Sequence, residues 1–105
     1  MLYDQRTYTC RPGMVRKQLE LYAAHGFKPQ TRHLGQPLLH AMTEVGDVNC
    51  FVHIWAYDSV DDRAKKRAAM QADPEWQTYL KLSNEAGYIT RQQNSLLVRS
   101  PFLPA

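Results

Sequence analysis

Between residues 49 and 59 the chain reads NCFVHIWAYDS, and both alternating sets of that stretch are apolar. As a strand it turns Asn49, Phe51, His53, Trp55 and Tyr57 to one side and Cys50, Val52, Ile54 and Ala56 to the other. A strand with one wet face alternates apolar with polar, so this one requires cover on both sides. The second set is plainly aliphatic. The first adds an imidazole, an amide, an indole and a phenol, which makes it the candidate for chemistry.

The flanking sequence supplies the remaining elements. Residues 2–9, LYDQRTYT, are rich in tyrosine and threonine and read as a strand, interrupted by the CRPG that follows. Pro12 suits a helix's first turn, and Val15, Leu19, Tyr22 and Ala23 recur at helical spacing up to Gly26. KPQTRHLGQP, with Pro29, Gly35 and Pro37, reads as irregular or a short edge piece. Leu38 to Val45 and Val48 to Tyr57 read as two strands joined by a two-residue Gly46-Asp47 turn. Ser59 with Asp62 resembles a capping box that opens a second helix, on which Val60, Ala64 and Ala68 form an apolar stripe. Asp73-Pro74-Glu75 restarts that helix, with Trp76, Tyr79 and Leu80 as its buried positions and Gly87 as its stop. Residues 88–100 form the last strand, and PFLPA is a tail.

The order is β-α-β-β-α-β, the ferredoxin-like pattern of an α+β domain with a four-stranded antiparallel sheet, and residues 1–105 read as one such domain. Two helices cover only one face of the sheet, so the second face calls for a second copy of the chain. The expected assembly is a homodimer in which two sheets close a dimeric α/β barrel.

The formal net charge is +3, and the basic residues are interleaved with acids, which leaves no basic stripe for a nucleic acid. No apolar run has membrane-spanning length, and the start, MLYDQRTYTC, lacks the layout of a secretory signal. Cys10 and Cys50 have no metal-type spacing and read as reduced thiols, which points to a cytoplasmic location.

Three stretches are familiar: RTYTCRPG near the start, HIWAYDSVDDRAKKRAAMQADPEW in the middle and QNSLL near the end. They resemble the NIPSNAP family over nearly the whole chain. The most specific part is the His53-x-Trp55-x-Tyr57-Asp58-Ser59 run followed by Arg63, Arg67 and Asp73-Pro74-x-Trp76. The resemblance implies a homodimeric barrel of the ferredoxin-like group but no agreed chemistry. Other dimeric α/β barrels are cofactor-free monooxygenases, haem-degrading or haem-using enzymes and lactone isomerases, an analogy of fold.

The turn lets the polar face be assembled. With Gly46-Asp47 as the loop, Glu44 faces Asn49, Met42 faces Phe51 and His40 faces His53. Leu39, Ala41 and Thr43 then join the aliphatic face, which is expected to meet the alanine-bearing helices. His40, Glu44, Asn49, His53, Trp55 and Tyr57 are expected in the barrel interior, joined by Asp4, Arg6 and Tyr8 of the first strand. As a site, this face would use His53 as a general base or ligand and Arg6 to hold an anion or oxyanion. Trp55 would stack on a planar ring and Asn94 would orient a carbonyl, with Tyr8 and His40 as further binding residues. As structure alone, the same groups satisfy one another across a dimer core, Arg6 pairing with Asp4 or Glu44. His40, His53 and Glu44 lack the further ligands of a metal site, and no cofactor is named by the sequence. Arg63 and Arg67, one turn apart, read as a solvated or Asp-paired face.

Two functions therefore stand side by side. One is a protein that binds, and by analogy oxidises or otherwise transforms, a small planar hydrophobic molecule near His53. The other is a non-catalytic homodimeric interaction or signalling module whose interior is only structure.

Overall fold

The computed structural model describes residues 1–104, and Ala105, the end of the expected tail, lies outside the described residues. Its elements are β1 (Leu2–Cys10), α1 (Val15–His25), α2 (Phe27–Leu34), β2 (Leu39–Met42), β3 (Cys50–Tyr57), α3 (Val60–Gln71), α4 (Pro74–Ala86) and β4 (Ile89–Val98). The sheet is antiparallel with the order β2-β3-β1-β4, the ferredoxin-like arrangement, and it is open rather than closed.

Each crossover carries a pair of helices. The segment expected to be irregular is α2. Pro29 sits in its first turn, where a missing N–H breaks no helical bond. Arg32 and His33 of α2 both reach Asp73 Oδ2, at 2.7 and 2.8 Å, which ties α2 to the start of α4. Hydrogen bonds from His33 and the Glu75 amide, with Arg32 beside them, hold the Asp73 carboxyl down at about 2. Asp73 Oδ1 also caps α4 by accepting from Glu75 N at 2.9 Å. Ser59 Oγ caps α3 by accepting from Asp62 N at 3.0 Å.

The hairpin has the expected register and a different turn. Leu39 pairs with Ile54, His40 with His53 and Met42 with Phe51, but pairing stops there and 43–49 form a longer loop centred on the same two residues. Val45 and Val48, expected in the ladder, are exposed. Glu44 and Asn49 leave the polar face with them; Asn49 Oδ1 instead accepts from Gly13 N at 3.2 Å.

The faces of the sheet are reversed relative to expectation. Leu2, Phe51, Trp55 and Tyr57 are buried under the helices, together with Asp4, Arg6 and His53. The main core joins Leu2, Trp55 and Tyr57 of the sheet to Tyr22, Leu34, Met70, Trp76 and Tyr79 of the helices. Large aromatics on both layers fill the gap between sheet and helices, whereas the small aliphatics do not reach across it. The aliphatic set, Val52, Ile54, Ala56 and Leu39, lies on the side without helices. The alanine stripe of α3 is likewise turned outward: Ala64 and Ala68 are exposed, Val60 is 64% exposed, and Met70 is the residue buried.

Candidate functional site

Between the helix-side face of the sheet and the helices lies a cavity of about 320 Å³. From the sheet it is lined by Arg6, Tyr8, His40, Phe51 and His53, and from α4 by Trp76, Tyr79 and Leu80. Tyr22, Gln30 and Arg67 bring α1, α2 and α3 to it. The lining residues Gln71, Asn84, Gly87 and Gln92 are exposed and mark its mouth.

Strand pairing explains the floor. Arg6 faces His53 and Tyr8 faces Phe51 across β1 and β3, and His40 faces His53 across β2 and β3. Side chains at paired positions of one face stand side by side, and here the neighbours are planar rings. His40 and His53 stack at 4.9 Å and 9°, Tyr8 and His53 at 5.2 Å and 11°, and Tyr8 and Phe51 at 4.9 Å and 8°. Tyr22 continues the tier over His40 at 5.1 Å. The result is a sheet-side tier of nearly parallel rings.

Trp55 is wholly buried and does not line the cavity. Its indole N–H donates to His53 Nδ1 at 2.5 Å. An indole nitrogen can only donate, so Nδ1 accepts and the neutral imidazole carries its hydrogen on Nε2. Burial first, then His40, Arg6 and Arg67, lower His53 from its ordinary 6.5 to about 3. Burial lowers His40 as well. Two uncharged histidines therefore sit side by side near neutral pH.

Arg6 donates from Nε to Tyr8 Oη at 3.1 Å and from Nη1 to Asp4 Oδ2 at 3.3 Å. Arg63 donates from Nε to the same Asp4 oxygen at 3.1 Å. Burial opposes the Arg6 charge, but Tyr8 and Asp4 outweigh it and raise the guanidinium above its ordinary value. Asn94 pairs with Arg6 in the β1–β4 ladder and, with its amide oxygen turned inward, accepts from Nη1 at 3.2 Å; it is exposed and does not line the cavity.

Arg67, read from sequence as part of a solvated or Asp-paired helix face, is half-buried at the cavity. No carboxylate pairs with it among the described residues. Burial pushes the Tyr57 phenol up, and Arg67 draws it partly back. On the opposite wall, burial pushes Tyr79 up to about 12 while hydrogen bonds from Ser83 and Gln18 restrain it. The signal for Arg67 was the spacing of Arg63, Arg67 and Met70, which share one side of α3.

The structure thus gathers Arg6, Tyr8, His40 and His53 at one cavity and leaves Trp55 beneath it and Asn94 outside it. Sequence reasoning missed Arg67, Tyr22, Trp76 and Tyr79 as cavity residues, because it placed the helices on the other face.

A family model described as NIPSNAP matches residues 3–104. The human protein NipSnap homolog 3A is 26% identical over 102 residues, which are 97% of this chain, and the chain spans 40% of that protein's length. The crystal structure of a NIPSNAP family protein from Agrobacterium tumefaciens is 35% identical and superposes with a TM-score of 0.88, covering 99% of this chain and 92% of that one. An antibiotic biosynthesis monooxygenase, 22% identical with a TM-score of 0.65 over 96% of this chain and 100% of that one, shares the fold.

Proposed function

The chain belongs to the NIPSNAP family, and on that premise we propose that it binds a small planar molecule in the cavity between its sheet and its helices. One observation carries the reading: the sheet-side wall is a tier of parallel rings, Tyr8, Phe51, His40 and His53, beside a cavity of about 320 Å³. Ligand sites are concave, mainly apolar and furnished with a few converging polar groups, from about 300 Å³ upward. Rings stacked on one another turn their edges to the cavity, so a flat ligand lying across them meets them edge to face, at little cost in ordering since the rings already hold one another in place. In this reading His53 donates through Nε2–H rather than acting as a base. Arg6 and Tyr8 present donors beside it, and His40 contributes ring surface. Trp55 acts through His53 by fixing its tautomer. The likeness to the monooxygenase is one of fold and adds no chemistry.

A second reading rests on a separate observation. Val52, Ile54, Ala56, Leu39 and Leu97 occupy the sheet face without helices, and Leu39 and Leu97 are 45% and 42% exposed. This supports a homodimer formed by two such faces, the arrangement expected of a dimeric α/β barrel. The two free cysteines are in keeping with a cytoplasmic location. No helix of the described residues is long and apolar enough to cross a membrane.

Calorimetric titration with 2-naphthoate and its uncharged carboxamide tests the cavity. At least one should bind with a Kd of about 1 mM or tighter, and Asn84→Trp, at the mouth, should abolish that binding while leaving the melting temperature in place. Binding of neither probe, or binding indifferent to Asn84→Trp, counts against the site and favours the interaction module.

A further inference from the structure

We propose that the ligand of this cavity is a planar organic monoanion, an aromatic or conjugated carboxylate whose charged end is held by Arg67. This deepens the reading above and depends on it. Among the described residues, the seventeen that line the cavity include two arginines and neither an aspartate nor a glutamate. Around them one buried carboxylate, Asp4, is shared between Arg6 and Arg63, and its Oδ1 has no partner. The Arg6 charge is therefore committed to Asp4, while that of Arg67 is not met by any acid among the described residues. A half-buried cation with no counter-charge is stabilised by an anion brought to it, and a guanidinium fork matches the two oxygens of a carboxylate.

The neutral polar groups point the same way. Tyr8 Oη already accepts from Arg6 Nε, so its own hydrogen is left to donate. His53 accepts through Nδ1 and so offers Nε2–H. A set of donors around apolar rings selects a ligand that presents acceptors on a flat apolar body. A cation would face Arg67 without a counter-charge. Arg63 shares Asp4 but does not line the cavity, so Arg67 is the lining arginine with no acid partner among the described residues, and one carboxylate matches it.

Paired probes separate this inference from the cavity reading it rests on. 2-Naphthoate should bind the wild-type protein at least tenfold more tightly than its carboxamide. Arg67→Met should erase that preference without weakening carboxamide binding, and Arg67→Lys should retain a preference for the carboxylate. Equal affinity of the wild type for the two probes overturns the monoanion assignment and leaves the cavity standing. A preference that survives in Arg67→Met overturns the role of Arg67. Binding of neither probe overturns the cavity and the anion together. Thermal unfolding of both variants at equal concentration, with melting temperatures near wild type, shows that the affinities refer to folded protein.

Discussion

The indole N–H of Trp55 occupies the lone pair through which neutral His53 would accept a proton. Protonation there must break that bond and place a charge beside Arg6, Arg67 and His40, the groups that already lower its pKa once burial has acted. The native pKa of about 3 lies below the ordinary 6.5. Between these values the unfolded chain holds a proton that the folded chain does not. The contribution to stability is therefore complete above about pH 6.5 and is lost as pH falls, by at most about 1.4 kcal/mol per pH unit for one such group. His40 shifts in the same direction and adds to the loss. Calorimetric melting at pH 7, 6 and 5 should show a steady fall in Tm, and His53→Gln, whose amide oxygen can still accept from Trp55, should fall less steeply. Equal slopes for the two proteins would remove His53 from the explanation. Asp4 is the other residue that works through its neighbours. Asp4→Asn leaves Arg6 and Arg63 facing a neutral amide in a buried position, and denaturant unfolding should show a loss of about 3 kcal/mol; a loss within experimental error would mean that solvent already screens the pair. The pairing of Arg6 with Asp4 was legible in sequence, since residues two apart on a strand share a face. Arg63 and Arg67 were not, because a helix that opens with acids and carries an alanine stripe offers two plausible sides.

At the scale of elements, parity was readable and polarity of packing was not. The alternation in β3 and the centre of the hairpin loop fix which residues share a face, and the observed pairing of His40 with His53 follows from them. They do not say which face the helices take. That choice is set by volume: Trp76, Tyr79 and Tyr22 on the helices meet Trp55 and Tyr57 on the sheet, and this aromatic filling outweighs the match between small residues. The helix α2 was hidden for a related reason. Pro29 and Gly35 read as breakers, yet one lies in the first turn and the other at the end, where each is compatible with a helix. The junction between α1 and α2 is correspondingly tight. A Cβ on Gly26 would lie 2.8 Å from Tyr22 Cδ1 and 2.9 Å from Tyr79 Cγ, both ring atoms of the core. Gly26 has an ordinary negative φ of −108°, so the cost of Gly26→Ala is one of overpacking and not of backbone strain. We expect a loss of about 1–3 kcal/mol, read as a lower Tm. An unchanged Tm would show that the two tyrosine rings can move apart freely.

In the whole molecule the alternation of β3 has its consequence: the sheet has two apolar faces and helices for one. What changes is which face is left over, and this relocates the candidate site. Had the ring-bearing face lined the barrel interior, ligand binding would depend on a partner. With that face under the chain's own helices, cavity and dimer surface lie on opposite sides of one sheet and can be tested independently. Ile54, at the middle of β3 on the helix-free face, is half-buried by its own neighbours, and a lysine there would place a charge inside any sheet-to-sheet interface. Sedimentation at about 10 μM should find the wild type dimeric, as expected of an interface of roughly 1,000 Å² or more, and Ile54→Lys monomeric. The monomeric variant should keep the naphthoate affinity of the wild type, because no residue of the helix-free face lines the cavity. A wild type that sediments as a stable monomer rejects the dimer. A monomeric Ile54→Lys that is folded by near-ultraviolet circular dichroism yet no longer binds naphthoate shows instead that the site is completed by the second copy, and that sheet and cavity are coupled across the strand they share.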